Sequence, residues 1–178
     1  LIVFTKNFKG IDSIINLFNK DDLIFVEIGV YAGDASLRFL KSNKIKKYYA
    51  IDPWMNNYDS NDSLSKRENM GEAELSFDKK TKKYFNRIVK LKLKSDNAVK
   101  FIEEKIDGIY IDGLHSYEGV KHDIQNYYPL IKDGGIISGH DYNNTWSGVI
   151  RAVNEVLGKP DYVFDDSNWV VIKKRQIN

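Results

Sequence analysis

Apolar and polar positions along the chain fall into short buried runs separated by amphipathic stretches. Ile11, Ile14, Ile15, Leu17 and Phe18 recur at helical spacing and predict a short lead-in helix. "LIFVEIG" (Leu23 to Gly29) reads as a buried strand ending in glycine. "DASLRFLKSN" (Asp34 to Asn43) follows as a helix with Ala35, Leu37, Phe39 and Leu40 inward. "KYYAIDPW" (Lys47 to Trp54) is a second strand, stopped by Pro53, which has no N–H to give a ladder. Then the periodicity lapses. From Met55 to Phe77 the chain is polar and rich in Asn, Ser and Asp, which predicts a lid or substrate loop over residues 55–78.

The pattern resumes with "RIVKLKLKS" (Arg87 to Ser95) as a strand and "DNAVKFIEEK" as a helix. "IDGIYIDG" is the next strand and "YEGVKHDIQNYYPLI" the next helix. "GGIISGHDY" (Gly134 to Tyr142) is another buried strand, and "SGVIRAVNEVLG" a helix closed by Gly158. "DYVFDDSNWVVIKK" predicts two final strands joined by the turn residues Asp165, Asp166, Ser167 and Asn168. Alternating strands and helices predict a single α/β domain over 1–178, with a mostly parallel sheet covered on both faces. In such sheets ligands sit beyond the carboxyl ends of the strands.

Composition narrows the chemistry. With no Cys among 178 residues, disulfides, thiolate metal sites and cysteine nucleophiles are excluded. No apolar run approaches the ~18 residues that span a bilayer. "LIVFTKNFKGIDSIINLF" shows neither a basic n-region nor a small-residue cleavage site, so no signal peptide is expected and a soluble cytoplasmic protein is. A net charge of +2 is too small to point to nucleic acid. The lysine clusters "KSNKIKK", "KKTKK" and "KLKLK" read as solvated helix ends and edge-strand faces, or else as a surface for anionic substrates.

The unusual residues collect at strand ends. Glu27 lies in the first strand, and Gly29 and Gly33 follow in the turn, where glycine lets backbone N–H groups approach a ligand. The Gly-x-x-x-Gly spacing matches neither the pyrophosphate fingerprint nor a P-loop. Asp52 follows about 20 residues later, where a carboxylate can take two ribose hydroxyls, with Trp54 beside it to cover a base. Ser95 and Asp96 at the third strand end suit an adenine edge, though Asp96 equally suits a helix cap.

"FVEIGVYAGDASLRFL", "YYAIDPW" and "IYIDGLHSYEGV…GGIISGHDY" together resemble the class I S-adenosylmethionine-dependent methyltransferases. Among these the chain is similar to the metal-dependent O-methyltransferases, of both catechol and macrocin sugar types. The resemblance spans roughly Leu23 to Tyr142. It implies a Rossmann-like three-layer sandwich with a seven-stranded sheet whose last strand is antiparallel. It also implies that Glu27, Gly29 and Gly33 hold the methionine part of the cofactor and Asp52 its ribose, with Tyr31 part of the glycine motif and Asp112 also beside the cofactor.

Asp112 ends the fourth strand, and His140 and Asp141 end the fifth. Carboxylate oxygens with open positions suit Mg²⁺. The resembled enzymes bind their metal through an aspartate at the fourth strand and an acidic pair at the fifth. Here the pair is His140–Asp141, so an imidazole ligand would favour Mn²⁺ or Fe²⁺. His140 stays open between metal ligand, outer-shell residue and substrate contact. A cation lowers the pKa of an acceptor hydroxyl, and a base must then take its proton. In macrocin-type relatives that base is the histidine of Asp-x-x-His, which here is His115, after Asp112. His122, one turn past Glu118, reads as a surface pair.

The expected reaction is methyl transfer to a hydroxyl of a small molecule, a sugar or glycoside by resemblance, with Tyr58, Tyr142 and Trp146 as stacking faces. The alternatives are an RNA or amine methyltransferase, a nicotinamide-dependent oxidoreductase of similar fold, and a non-catalytic nucleoside-binding domain. Amino-group enzymes of this fold often carry Asn/Asp-Pro-Pro-Tyr/Phe, and here Pro53, Pro129 and Pro160 are never adjacent. Nucleic acid and membrane are disfavoured as partners, and a homo-oligomer is left open.

Overall fold

The computed structural model describes residues 3–5, 10–59 and 69–174. Among the described residues eight strands form one sheet: β1 (Val3–Thr5), β2 (Leu23–Ile28), β3 (Ile45–Ile51), β4 (Ile88–Leu91), β5 (Ile106–Ile111), β6 (Ile131–Gly139), β7 (Tyr162–Phe164) and β8 (Trp169–Ile172). Their order is β1-β7-β8-β6-β5-β2-β3-β4. Every pairing is parallel except those of β8 with β6 and β7. The expected seven-stranded sheet with an antiparallel last strand is therefore present, and β1 extends it at the β7 edge.

Strand residues alternate between two cores, which makes the three layers. Phe25, Tyr48, Ala50, Tyr110 and Ile136 meet α1 (Gly10–Asn16), α2 (Asp34–Leu40) and α3 (Met70–Thr81) on one face. Val26, Tyr49, Ile51, Ile109 and Ile137 meet α4 (Ser95–Ala98), α5 (Tyr117–Tyr127) and α6 (Ser147–Leu157) on the other. Each large side chain so buried stabilises the fold by roughly 1.5–3 kcal/mol. The polar segment after β3 is only partly loop. Helix α3 begins at Met70, where Asn69 accepts the Gly71 N–H at 3.0 Å, and Met70, Ala73 and Phe77 give it a buried stripe. The helix expected after β4 shortens to one turn at Ser95–Ala98, continued by a 3₁₀ turn over Val99–Phe101.

Strand register sets the site. Ile28 pairs with both Ile51 and Ile111, and Ile111 pairs with Gly139. Gly29, Asp52, Asp112 and His140 are the next residues of the four strands, so they emerge level along the carboxyl edge. None of the helices is long and apolar enough to cross a membrane, among the described residues.

Candidate active site

A cleft of about 360 Å³ opens along that edge. Gly29, Tyr31, Asp52, Ser95, Asp112, His115, His140 and Asp141 all line it, so eight of the residues singled out by sequence converge on one space.

Gly29 has φ +85°, and a Cβ there would lie 1.9 Å from the Asp112 carbonyl oxygen. The Asp112 N–H donates to the Ile28 carbonyl at 2.8 Å, so the two strand tips press together at a point only glycine fits. Tyr31, Trp54 and Asp141 also sit in the left-handed region, at φ 48°, 40° and 60°. Such strain costs on the order of 1 kcal/mol per residue and persists where surrounding bonds hold it. Asp52 holds two of the three. Its Oδ2 accepts from the Tyr31 N–H at 2.9 Å and its Oδ1 from the Trp54 N–H at 2.6 Å. The Trp54 indole N–H closes the loop onto the Tyr31 carbonyl at 2.9 Å. Burial raises the Asp52 carboxyl to about 6 against the pull of the Trp54 N–H.

Four expected cofactor residues lie off the cleft wall. Glu27 is fully buried beneath the glycine turn, where its Oε2 accepts from the Ser36 hydroxyl and from Tyr48 at 2.6 Å. Its Oε1 is buried without a hydrogen-bond partner among the described residues, and burial raises the group to about 8. Gly33 backs onto Phe77. Trp54 packs on Phe77 at 5.5 Å with the Lys90 ammonium 4.9 Å from its ring, so its indole builds core rather than covering a base. Asp96 is exposed.

At the other end of the cleft the β5 and β6 tips meet. His115 Nε2 lies 2.8 Å from Asp141 Oδ2 and 3.9 Å from Asp112 Oδ1, while Nδ1 lies 3.0 Å from Asp59 Oδ2. Trp146 stacks on the imidazole at 4.3 Å. His140 Nδ1 lies 3.3 Å from Asp141 and 3.9 Å from Asp112. Burial would lower His115, but the bond to Asp141, the charge of Asp112 and the bond to Asp59 raise it to about 9. His140 rises to about 9, chiefly through its bond to Asp141. Against burial, bonds from both imidazoles hold Asp141 well below the usual carboxylate range. One ligand atom each from Asp112, His115 and Asp141 lies within 4.8 Å of the other two. Two carboxylates and an imidazole at that spacing are a donor set that fits a divalent cation.

The structure adds two acids that the sequence reading passed over. Asp59 lies within the polar segment expected as a lid, where no periodic signal singles it out. Asp123 lies on α5, whose buried residues are Val120, Asp123, Ile124 and Tyr127. A carboxylate within an apolar stripe was the available cue. Of the expected stacking residues, Tyr58 and Trp146 line the cleft, while Tyr142 donates its hydroxyl to Asn154 at 2.9 Å, away from the wall.

Strand order, glycine turn and acid-lined carboxyl edge together define a class I methyltransferase domain. Residues 26–142 match the family model described as Methyltransferase domain, and the chain belongs to that family, whose methyl donor is S-adenosylmethionine. A sequence relative is the uncharacterized protein R132 of Acanthamoeba polyphaga mimivirus, 29% identical over 161 residues, which cover 86% of this chain and 68% of that one. Among solved structures, an rRNA methylase from Streptococcus thermophilus superposes with a TM-score of 0.67 at 12% identity, over 96% of this chain and 100% of that one. CalS11, a TDP-rhamnose 3'-O-methyltransferase of calicheamicin biosynthesis, gives 0.63 at 16% identity, over 91% and 76%. A Streptococcus mutans protein solved with SAH gives 0.63 at 10% identity, over 89% and 92%. These likenesses establish the fold.

Proposed function

We propose that the protein is a metal-assisted O-methyltransferase that carries a methyl group from S-adenosylmethionine to a hydroxyl of a small molecule, a sugar. The observation that carries this reading is the set of donor atoms from Asp112, His115 and Asp141 at one end of a cleft whose other end has the glycine turn and Asp52. The cofactor supplies an electrophilic sulfonium methyl. Gly29 leaves room for backbone against it, and Asp52 keeps lone pairs beyond its two backbone bonds for ribose hydroxyls. A divalent cation held by the triad supplies Lewis acidity that lowers the pKa of an acceptor hydroxyl. The imidazole in the donor set favours Mn²⁺ or Fe²⁺ over Mg²⁺.

This reading moves His115 from the expected base to ligand and gives the base role to His140, whose part the sequence left open. In this reading a metal would take the Nε2 lone pair of His115 while Asp59 holds Nδ1, so the ring would have no site left to take a proton from an acceptor. We assign His115 as ligand and Asp59 as the outer group that fixes its tautomer. His140, the other imidazole on the cleft wall, is assigned as proton acceptor in its neutral form, which grows as pH rises toward its raised value of about 9. A second reading, favoured by the closed 2.8 Å contact of His115 with Asp141, is methyl transfer without metal, with His115 as base.

A small acceptor is supported by Tyr58 and Trp146 on the wall, since aromatic faces suit sugar rings. Part of each lysine cluster is neutralised by the protein's own acids, since Lys47 pairs with Glu104, Lys80 with Asp34, and Lys90 and Lys92 with Glu74. A cytoplasmic location goes with this donor and acceptor.

The test is calorimetric titration with S-adenosylmethionine and then Mn²⁺, before and after EDTA, with NAD as control, followed by labelled methyl transfer to hydroxylated sugars. Cofactor binding, a metal heat lost in Asp112→Ala, and transfer abolished by EDTA support the proposal. Transfer that survives EDTA selects the metal-free reading. No cofactor binding rejects both.

A further inference from the structure

Trp146 stands on the cleft wall with one face of its indole laid over the His115 ring, the centroids 4.3 Å apart and the planes 25° off parallel. It reaches that place from the short connection between β6 and α6. The same connection supplies Asp141, whose carboxylate lies 2.8 Å from His115 Nε2. One stretch of backbone therefore brings an acid to the edge of the imidazole and a flat apolar face to its side.

The connection is tied down along its length. The Asn143 N–H donates to the Asp141 carbonyl at 2.8 Å, and the Trp146 N–H donates to the Asn143 carbonyl at 3.1 Å. Sideways, Asn143 Nδ2 donates to the Ser167 hydroxyl at 3.0 Å, and the Tyr142 N–H donates to the Ser167 carbonyl at 3.0 Å. Just past Trp146, α6 presses on the His115 segment itself. A Cβ on Gly148 would stand 2.8 Å from the Tyr117 nitrogen and 3.1 Å from the His115 carbonyl oxygen. Indole and imidazole are thus carried on two backbones in direct contact.

What the stack does follows from the freedom of an imidazole. The outer torsion of histidine is broad and nearly two-fold, so its rotamer alone does not fix where a ring nitrogen points. Asp59 bonds Nδ1 at 3.0 Å and sets one point on the edge of the ring. A parallel face at stacking distance sets the plane, because tilting the ring would drive it into the indole on one side and forfeit contact on the other.

We propose that Trp146 is a positioning residue for His115, its stacked indole setting the plane of the imidazole so that Nε2 stays aimed at Asp141 and Asp112. This rests on the metal-site reading above and gives Trp146 a part beyond that of a sugar face. The two parts differ in what is lost without the ring. A sugar face touches only the acceptor, so removing it raises the acceptor KM and leaves metal affinity alone. A positioning face acts through the imidazole, so removing it weakens the metal whether or not an acceptor is present.

The experiment is calorimetric titration of Mn²⁺, and separately of S-adenosylmethionine, into the wild type, Trp146→Phe, Trp146→Leu and Trp146→Ala. Trp146→Phe keeps a flat face and is expected to bind Mn²⁺ within about threefold of the wild type. Trp146→Leu keeps apolar bulk without the face, and it and Trp146→Ala are expected to bind Mn²⁺ roughly tenfold more weakly, the lower end of the range for a residue acting through a ligand. Cofactor affinity should hold in the Phe and Leu variants, and if Trp146→Ala disturbs the cleft as a whole, the contrast between Phe and Leu decides. Wild-type Mn²⁺ affinity in Trp146→Leu overturns the proposal, and a raised acceptor KM beside it would make Trp146 a sugar face only. Equal weakening in Phe and Leu overturns it too, since flatness would then not be the cause. A wild type that binds S-adenosylmethionine but no Mn²⁺ overturns the metal reading itself, and this proposal with it.

Discussion

Asp59 Oδ2 takes both the backbone N–H and the ring Nδ1 of His115, at 3.1 and 3.0 Å. One carboxylate oxygen thereby fixes the position of the residue and the rotation of its ring, and turns Nε2 toward Asp141 and Asp112. In the proposed metal site an imidazole so held would be a prepared ligand, because its rotamer and tautomer would be set before an ion arrives. Asp59→Asn is expected to weaken Mn²⁺ binding by 10- to 100-fold in calorimetry, the range typical of an outer-shell partner. Cofactor affinity should move by less than threefold. Unchanged metal affinity would remove Asp59 from the site.

Gly29 and Gly134 both have positive φ, yet they predict different outcomes. At Gly29 a Cβ would lie 1.9 Å from the Asp112 carbonyl oxygen, whereas at Gly134, φ +75°, nothing lies within 4 Å. Gly134→Ala should cost only about 1 kcal/mol, the left-handed penalty alone. Gly29→Ala adds a backbone clash and should cost about 3 kcal/mol or more, with loss of metal binding as Asp112 shifts. Urea denaturation of the two variants checks the contrast. Equal losses would mean the β2 and β5 tips are not locked together.

The layered sheet was legible because its strands are apolar runs bounded by glycine, proline or aspartate, and Asp52, Asp112 and Asp141 stood out as carboxylates at the ends of such runs. Helix α3 was not legible, since its buried stripe is only Met70, Ala73, Phe77 and Thr81 in a segment otherwise polar. Trp54 was misjudged for a related reason. Its place beside Asp52 suggested a base cover, but its left-handed backbone turns the indole inward onto Phe77. The part of Asp59 depends on a contact with His115, 56 residues away, which no local pattern encodes. Residues 60–68 of the expected lid lie outside the described residues.

His115 carries a proton at neutral pH, because Asp141, Asp112 and Asp59 together outweigh burial and raise it to about 9. A ligand nitrogen must shed that proton, so metal affinity should climb about tenfold per pH unit between 7 and 9 and level off above. Calorimetry at pH 7.5 in two buffers of different ionisation heat should show about one proton released per Mn²⁺ bound. His115→Ala should abolish both the release and the slope, leaving weaker and flatter binding. A wild type that binds metal with no proton release would place Nε2 outside the ligand set.

Glu27 links the fold to pH independently of any ligand. Burial raises its carboxyl from 4.5 to about 8, with the Ser36 and Tyr48 bonds opposing only in part. A carboxyl whose folded pKa is raised binds its proton more tightly in the native state. Its contribution to stability is therefore complete below about pH 4.5 and is lost as pH rises through 8. By linkage the loss is on the order of 5 kcal/mol at most. Glu27→Gln should leave stability near pH 5 unchanged, since a neutral amide oxygen still accepts from Ser36 and Tyr48 and the amide nitrogen occupies the place of the unpartnered Oε1. Near pH 8.5 the variant should be the more stable protein by about 1–3 kcal/mol, because it has no charge to bury. Thermal unfolding from pH 5 to 9 makes the comparison. Curves that run parallel across that range would mean that Glu27 is already ionised in the fold, with a cation or water supplying what Oε1 lacks.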